Sequence, residues 1–483
     1  MKNKLSRRQF LKSGGLALAA MALRPSTVFS SSGRVASEYV SKRPPVDKRH
    51  FVSKAVEATI TKSKGKIKDE KLRWMFENCF PNTLDTTVNF KMKEGRPDTF
   101  VITGDIDAMW LRDSSAQVWP YLPLLKEDKE LRQMVAGLIN RQAACIRIDP
   151  YANAFNDGPR GSFWETDHTQ HMVKELHERK WEIDSLCYPI RLAYRYWKQT
   201  DDRSVFDKDW HEAMKLVLQT FKEQQRKKDL GPYSFMRDGD RPTDSQMNGG
   251  YGAPVKPVGL IVSSFRPSDD ATQYGFLIPS NMFAVISLRQ LAEIERVVYK
   301  DDAFASSCIG LADEVDAAIH RYGIVNHPVC GRVYAFEVDG FGNALCMDDA
   351  NVPSLLAAPY LGYCSPNDAL YQNTRKLLWS ENNPYFFKGA AGEGIGGPHV
   401  GLDYIWPMSV IIKALTTDDA GEIRVCLKQL RDTDGGTGFM HESFHSADAA
   451  KFTRSWFAWA NTLFGELILK TIQEHPEILS QSL

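Results

Sequence analysis

The chain has 483 residues, of which 43% are hydrophobic, a composition that can bury a large core and excludes a disordered protein. Sixty basic and sixty acidic residues cancel, so the overall charge gives no reason to expect a nucleic acid or an anionic membrane surface as partner. Eleven Trp and 17 Tyr serve cores in most proteins, but they also suit the apolar faces of sugar rings.

The N-terminus is basic, with Arg7-Arg8 ahead of Phe10-Leu11-Lys12 and an apolar stretch from Gly15 to Leu23. It resembles a twin-arginine export signal, which the export machinery reads and which is no part of the fold. The apolar stretch is too short to span a bilayer. Residues 1–31 are assigned to the signal, 32–47 to a polar linker and 48–483 to one domain, so an exported protein is expected, periplasmic or extracellular. Eight cysteines are scattered without CxxC spacing, which predicts no cysteine metal site.

From Asp47 onward helical patterns continue to the C-terminus. Leu131, Val135 and Leu138 fall at helical spacing, as do Trp210, Met214, Val217, Leu218 and Phe221, and Phe304, Cys308, Leu311, Val315 and Ile319. Each predicts a helix with one apolar and one wet face. Residues 282–298, 404–415 and 452–472 are apolar nearly all round and predict helices buried on most sides. Half-exposed and buried helices together, about twelve in all, suit a closed double ring. Short strand patterns at 99–103 and 332–338 predict hairpins on the face that carries the loops.

Six long loops rich in Gly, Asp, Trp and Arg separate the helices: 104–122, 156–171, 244–257, 259–281, 389–407 and 432–445. Loops of this length in a compact domain are usually functional, and these are expected to converge on one acidic pocket. In the fourth, Pro267 pushes Arg266 out of helical conformation and Ser268 favours a turn. Asp269 and Asp270 then sit between apolar walls, where burial raises a carboxyl pKa and prepares a proton donor. An acid pair that caps the next helix would read the same way. Trp110-Leu111-Arg112-Asp113 places an aromatic face, a forked donor and an acceptor within four residues, as a sugar site requires, though a surface Arg beside a helix-terminal acid has the same pattern.

His441-Glu442-Ser443-Phe444-His445 matches the H-E-x-x-H pattern of zinc peptidases, but the glycines at 435, 436 and 438 break the helix that this pattern needs. His168 and His171 are read as the start of an ordinary helix. Gly392 to Gly397 has no strand-helix context for a nucleotide loop.

Taken together, the stretches around Met109–Tyr121, NGGYGAPVKP, GLIVSSFRPSDDATQYGFLIPSN, GIGGPHVGLDYIWP and GFMHESFH resemble glycoside hydrolase family 125. The resemblance implies an all-α (α/α)6 barrel and an inverting exo-α-1,6-mannosidase acting on mannose-containing glycans. It implies Asp269 as general acid and Glu442 as general base, with Trp110, Arg112, Asp113, Arg266 and His441 expected around the sugar. Such a mechanism needs no metal or cofactor. The competing readings are a glycosidase of the same fold with another linkage or sugar, a non-catalytic glycan-binding protein and a zinc peptidase.

Overall fold

The structure, a computed structural model, describes residues 39–483, so the stretch expected as an export signal and the first part of the expected linker lie outside the described residues. Ser41–Leu483 forms one compact unit. The unit takes in part of the stretch expected as linker: the Arg43 side chain is largely covered and bridges Asp85 and Glu57.

Helices of two kinds alternate along the chain. Glu70–Cys79, Lys129–Ile148, Lys208–Gln224, Asp302–Tyr322, Ala369–Leu378 and Ala420–Asp432 each have one buried and one wet face. Between them come Leu111–Val118, Ile183–Thr200, Ile278–Ile294, the short Ala358–Leu361, Pro407–Leu415 and Ala458–Glu474, most of whose residues are buried. The buried helices touch one another in series, Pro407–Leu415 on Ala458–Glu474, that helix on Leu111–Val118, then Ile183–Thr200 and Ile278–Ile294. Burying an apolar side chain contributes about 1.5–3 kcal/mol, so a helix apolar all round is stable only where its neighbours surround it.

The helix starts differ in the same alternation. Asp69, Asp128, Asp207, Asp301, Asp368 and Asp419 each accept a hydrogen bond from the first turn of a half-exposed helix. Each such cap is worth about 0.5–2 kcal/mol. The buried helices are entered from Trp110, Glu182, Leu277, Ala357, Trp406 and Phe457, none of which makes a side-chain cap. Three of them follow directly on strands: Met109–Trp110 pairs with Ala154–Phe155, Phe276–Leu277 with Glu337–Val338, and Tyr404–Ile405 with Ser443–His445. The N-terminal ends of the buried helices therefore meet short antiparallel sheets and the long loops.

Several expected boundaries move. Residues 404–405 and 448–453 are strands, not the first turns of helices, because a short apolar or β-prone run fits a strand as well as a helix start. The 282–298 pattern is α-helical only to Ile294 and continues as a π turn through Glu295–Tyr299. His168–Thr169 is a strand paired with Phe235–Met236 where a helix start was expected. Both predicted hairpins are present: Arg96–Val101 pairs with Val88–Lys93, and Gly331–Tyr334 with Ile324–His327. The first lies against the Lys129–Ile148 helix at Gly137, where a Cβ would come within 2.4 Å of Thr99 Oγ1.

Candidate active site

Arg112 opens the first buried helix and is itself buried. Its Nη1 lies 2.5 Å from Oε2 of Glu182 and 3.2 Å from Oδ2 of Asp184, at the start of the next buried helix. Its Nη2 donates to Oδ1 of Asp269 at 3.1 Å, and Nε lies 3.4 Å from Oδ2 of Asp113. One cation thus faces four carboxylates. Burial, with the Asp269 and Asp184 charges, outweighs Arg112 and pushes the Glu182 carboxyl well up. Burial likewise raises Asp184 to about 6, and it raises Asp113 against the pull of Arg112.

Asp269 is held from several sides. Asn153 Nδ2 approaches its Oδ1 at 3.5 Å, and Lys180 Nζ donates to its backbone oxygen at 2.7 Å. Its φ of +67° is left-handed, a conformation uncommon for a non-glycine residue and concentrated at functional sites. The side chain remains 24% exposed. Asp270 turns the other way. It is fully buried, with Oδ1 3.6 Å from His399 Nδ1 and 3.6 Å from Arg241 Nη2. The expected rise in its pKa does not occur: burial acts upward, but the nearby His399, with the charges of Arg241 and Lys180, brings it below the ordinary value.

Glu442 comes from the last of the six loops and is nearly buried, its Oε1 3.5 Å from Arg454 Nη1. Arg454 also bonds Thr103 and Asp105, and its guanidinium lies 4.9 Å from the Phe457 ring. Glu442 and Asp113 both raise the Arg454 pKa, and Asp270 and Glu442 both act on His399. Arg112 thus joins Asp269 to Asp113, Arg454 holds Glu442, and His399 faces Asp270. Four of the six loops, 104–122, 259–281, 389–407 and 432–445, supply all of these residues but Arg454, which follows the Asp448–Thr453 strand. Trp406 and Phe457 form a wall between His399 and Arg454, with ring centroids 5.9 Å apart. Nε1 of Trp110, Trp406 and Trp456, Nδ1 of His399 and both Asp270 carboxylate oxygens are buried without hydrogen-bond partners, an array suited to a ligand rich in hydroxyls.

Two residues expected around the sugar also have partners within the protein. Arg266 is 2% exposed, and its Nε donates to Glu337 Oε1 at 2.6 Å. Glu337 in turn accepts from the backbone N–H groups of Gln273 and Tyr274, so the pair fastens the Asp269 loop from beneath. His441 stacks on Phe452 at 3.7 Å, with Nε2 near the Asp434 carbonyl and the Thr437 hydroxyl. Burial lowers its pKa. Ser443–His445 is a strand, so the H-E-x-x-H segment lacks the helix face on which zinc peptidases place both histidines.

Sequence reasoning missed Asn153, Lys180, Glu182, Asp184, His399 and Arg454. Glu182 and Asp184 flanking a buried helix start were a visible signal, as was His399 in the fifth loop. The others have meaning only through partners far away in the chain.

Buried carboxylates, aromatic walls and unpartnered hydroxyl-binding atoms on the loop face of an all-helical core define a glycosidase-type site. The model of the metal-independent α-mannosidase family GH125 matches residues 69–469, and the chain belongs to that family. It is 43% identical over 460 residues to the meiotically up-regulated gene 157 protein of Schizosaccharomyces pombe, covering 91% of this chain and 90% of the relative. A Streptococcus pneumoniae α-mannosidase, solved as a non-productive complex with α-1,6-mannobiose, superposes with a TM-score of 0.84 at 45% identity, covering 88% of this chain and 99% of that one. A bacterial glucoamylase complexed with acarbose matches at a TM-score of 0.54 and 13% identity, covering 87% and 59%, which is a likeness of fold alone.

Proposed function

We propose that this chain is an exported, exo-acting α-mannosidase that removes terminal α-1,6-linked mannose with inversion, and that its alternating helices close as an (α/α)6 barrel. Membership of the family and the α-1,6-mannobiose bound by the similar S. pneumoniae enzyme support the linkage. The Arg7-Arg8 segment supports export.

The observation that carries the mechanism is the contrast between the paired acids. Asp269 keeps a partly exposed carboxyl on a strained backbone position beside Arg112 and Asn153, whereas Asp270 is fully buried. Asp269 protonates the leaving oxygen. Glu442, on a separate loop and anchored by Arg454, takes the proton of the attacking water, as inverting hydrolases require of two carboxyls roughly 6.5–9.5 Å apart. Trp110, Arg112 and Asp113 hold the terminal sugar.

The reading is tested by incubating the enzyme with α-1,6-, α-1,3- and α-1,2-linked mannobiose and following released mannose by proton NMR. Selective cleavage of the α-1,6 disaccharide with β-mannose appearing first supports it. α-Mannose appearing first, or a preference for another linkage, overturns it.

A further inference from the structure

Outside the site, one group of side chains has no role in the reaction. His211 lies on the Lys208–Gln224 helix, Glu295 begins the π turn after Ile278–Ile294, and Asp301 precedes Asp302–Tyr322. One ligand atom from each lies within 4.8 Å of the others, and His211 Nδ1 is 3.2 Å from Glu295 Oε2. The place is remote from the chemistry: at 1.5 Å per residue, Glu295 sits about 25 Å along the helix from Ile278, whose N-terminal end meets the catalytic loops.

The decisive residue is Glu295. It is fully buried, yet neither of its oxygens has a hydrogen-bond partner, and neither does Nδ1 of His211. A buried carboxylate without compensation is costly. Burial, then the charge of Asp301, raise this carboxyl to about 8, with Lys215 opposing. The surroundings hold the donors in place. The Tyr299 ring lies 4.4 Å from the His211 ring and Phe304 lies 5.7 Å away, while Tyr299 Oη donates to the Asp207 carbonyl at 2.9 Å. Asp301 accepts the helix-cap bond from Phe304 through Oδ1.

We propose that His211, Glu295 and Asp301 bind a zinc ion that ties together the ends of three helices. One imidazole nitrogen and two carboxylates are a donor set that zinc accepts, at about 2.0–2.2 Å each, with the fourth tetrahedral position left to solvent on the partly exposed His211 side. Tetrahedral bonds of that length separate neighbouring donors by about 3.4 Å, close to the His211–Glu295 spacing. Such an ion takes no part in glycoside cleavage, so the family's metal-independent chemistry is unaffected.

The test uses the full chain with any affinity tag removed, stripped with EDTA, dialysed and titrated with zinc chloride, with magnesium chloride as control. Elemental analysis gives stoichiometry and thermal melting gives stabilisation. One zinc per chain is expected, with a melting midpoint about 3 °C higher at roughly 100 times Kd and kcat unchanged. Glu295→Gln and His211→Gln should abolish both effects, and Asp301→Asn, which keeps an oxygen for the helix cap, should weaken binding. If the first two variants fail to fold, X-ray absorption of the wild-type zinc form decides: one imidazole among oxygen donors supports the site, and any sulfur donor or a second imidazole overturns it. The proposal also fails if the wild type binds no zinc, or if Glu295→Gln binds it equally. In the first case Glu295 simply keeps a proton.

Discussion

Nη2 of Arg112 lies 3.1 Å from Oδ1 of Asp269, joining the first residues of one buried helix to a loop 157 positions further on. The same guanidinium faces Glu182, Asp184 and Asp113. Much of the behaviour expected of this enzyme follows from one cation shared among four carboxylates.

On the proposed roles, Asp269→Asn nearly abolishes cleavage of α-1,6-mannobiose but spares much of the activity on a mannoside with an activated aryl leaving group, which departs without protonation. The loss falls mainly on kcat, about 10²- to 10⁴-fold. Equal losses on both substrates would remove Asp269 from the role of acid.

Glu442→Gln removes the group that activates water, which every substrate needs. Steady-state rates on the disaccharide and on the aryl mannoside should fall together, again in kcat. Retention of aryl mannoside hydrolysis would transfer the role of base to another carboxylate.

Arg112→Met leaves buried carboxylates without their cation, and removing one partner of a buried pair costs about 3–5 kcal/mol. Urea unfolding at pH 7 should show this loss, and it should shrink at pH 5, where the acids take up protons. A variant as stable as wild type at pH 7 would contradict the shared-cation arrangement.

Asp184 supplies a pH signature. Its folded pKa, about 6, lies above the ordinary 3.8, so between these values the folded state binds more protons than the unfolded one. Its contribution to stability is therefore fully present below about pH 4 and is lost as the pH rises towards 6. Asp184→Asn, which keeps an oxygen for Arg112, should flatten the melting temperature over that window. An unchanged pH dependence would show that Asp184 titrates normally.

Arg266 separates support from recognition. If it fastens the loop through Glu337, Arg266→Met lowers unfolding stability by about 3–5 kcal/mol and reduces kcat, with KM little changed. A rise in KM with unaltered stability would return it to the sugar-binding residues.

The helices were legible in the chain because periodicity is local. Phe304, Cys308, Leu311, Val315 and Ile319 sit on one face of a single helix whatever lies around it, and residues 282–298, apolar nearly all round, announced the buried helix found at Ile278–Ile294. Trp110-Leu111-Arg112-Asp113 and the Asp269-Asp270 pair could be singled out because donors and acceptors crowd a few consecutive residues. Tertiary structure alone decided which of them face outward. Arg266 and Glu337 are 71 residues apart, Arg454 and Glu442 meet across a hairpin, and Asp270 reaches His399 from a different loop. An ion pair forms where the fold delivers its partner, and burial then determines whether a carboxyl keeps its proton, so neighbours in sequence as close as Asp269 and Asp270 end in opposite environments.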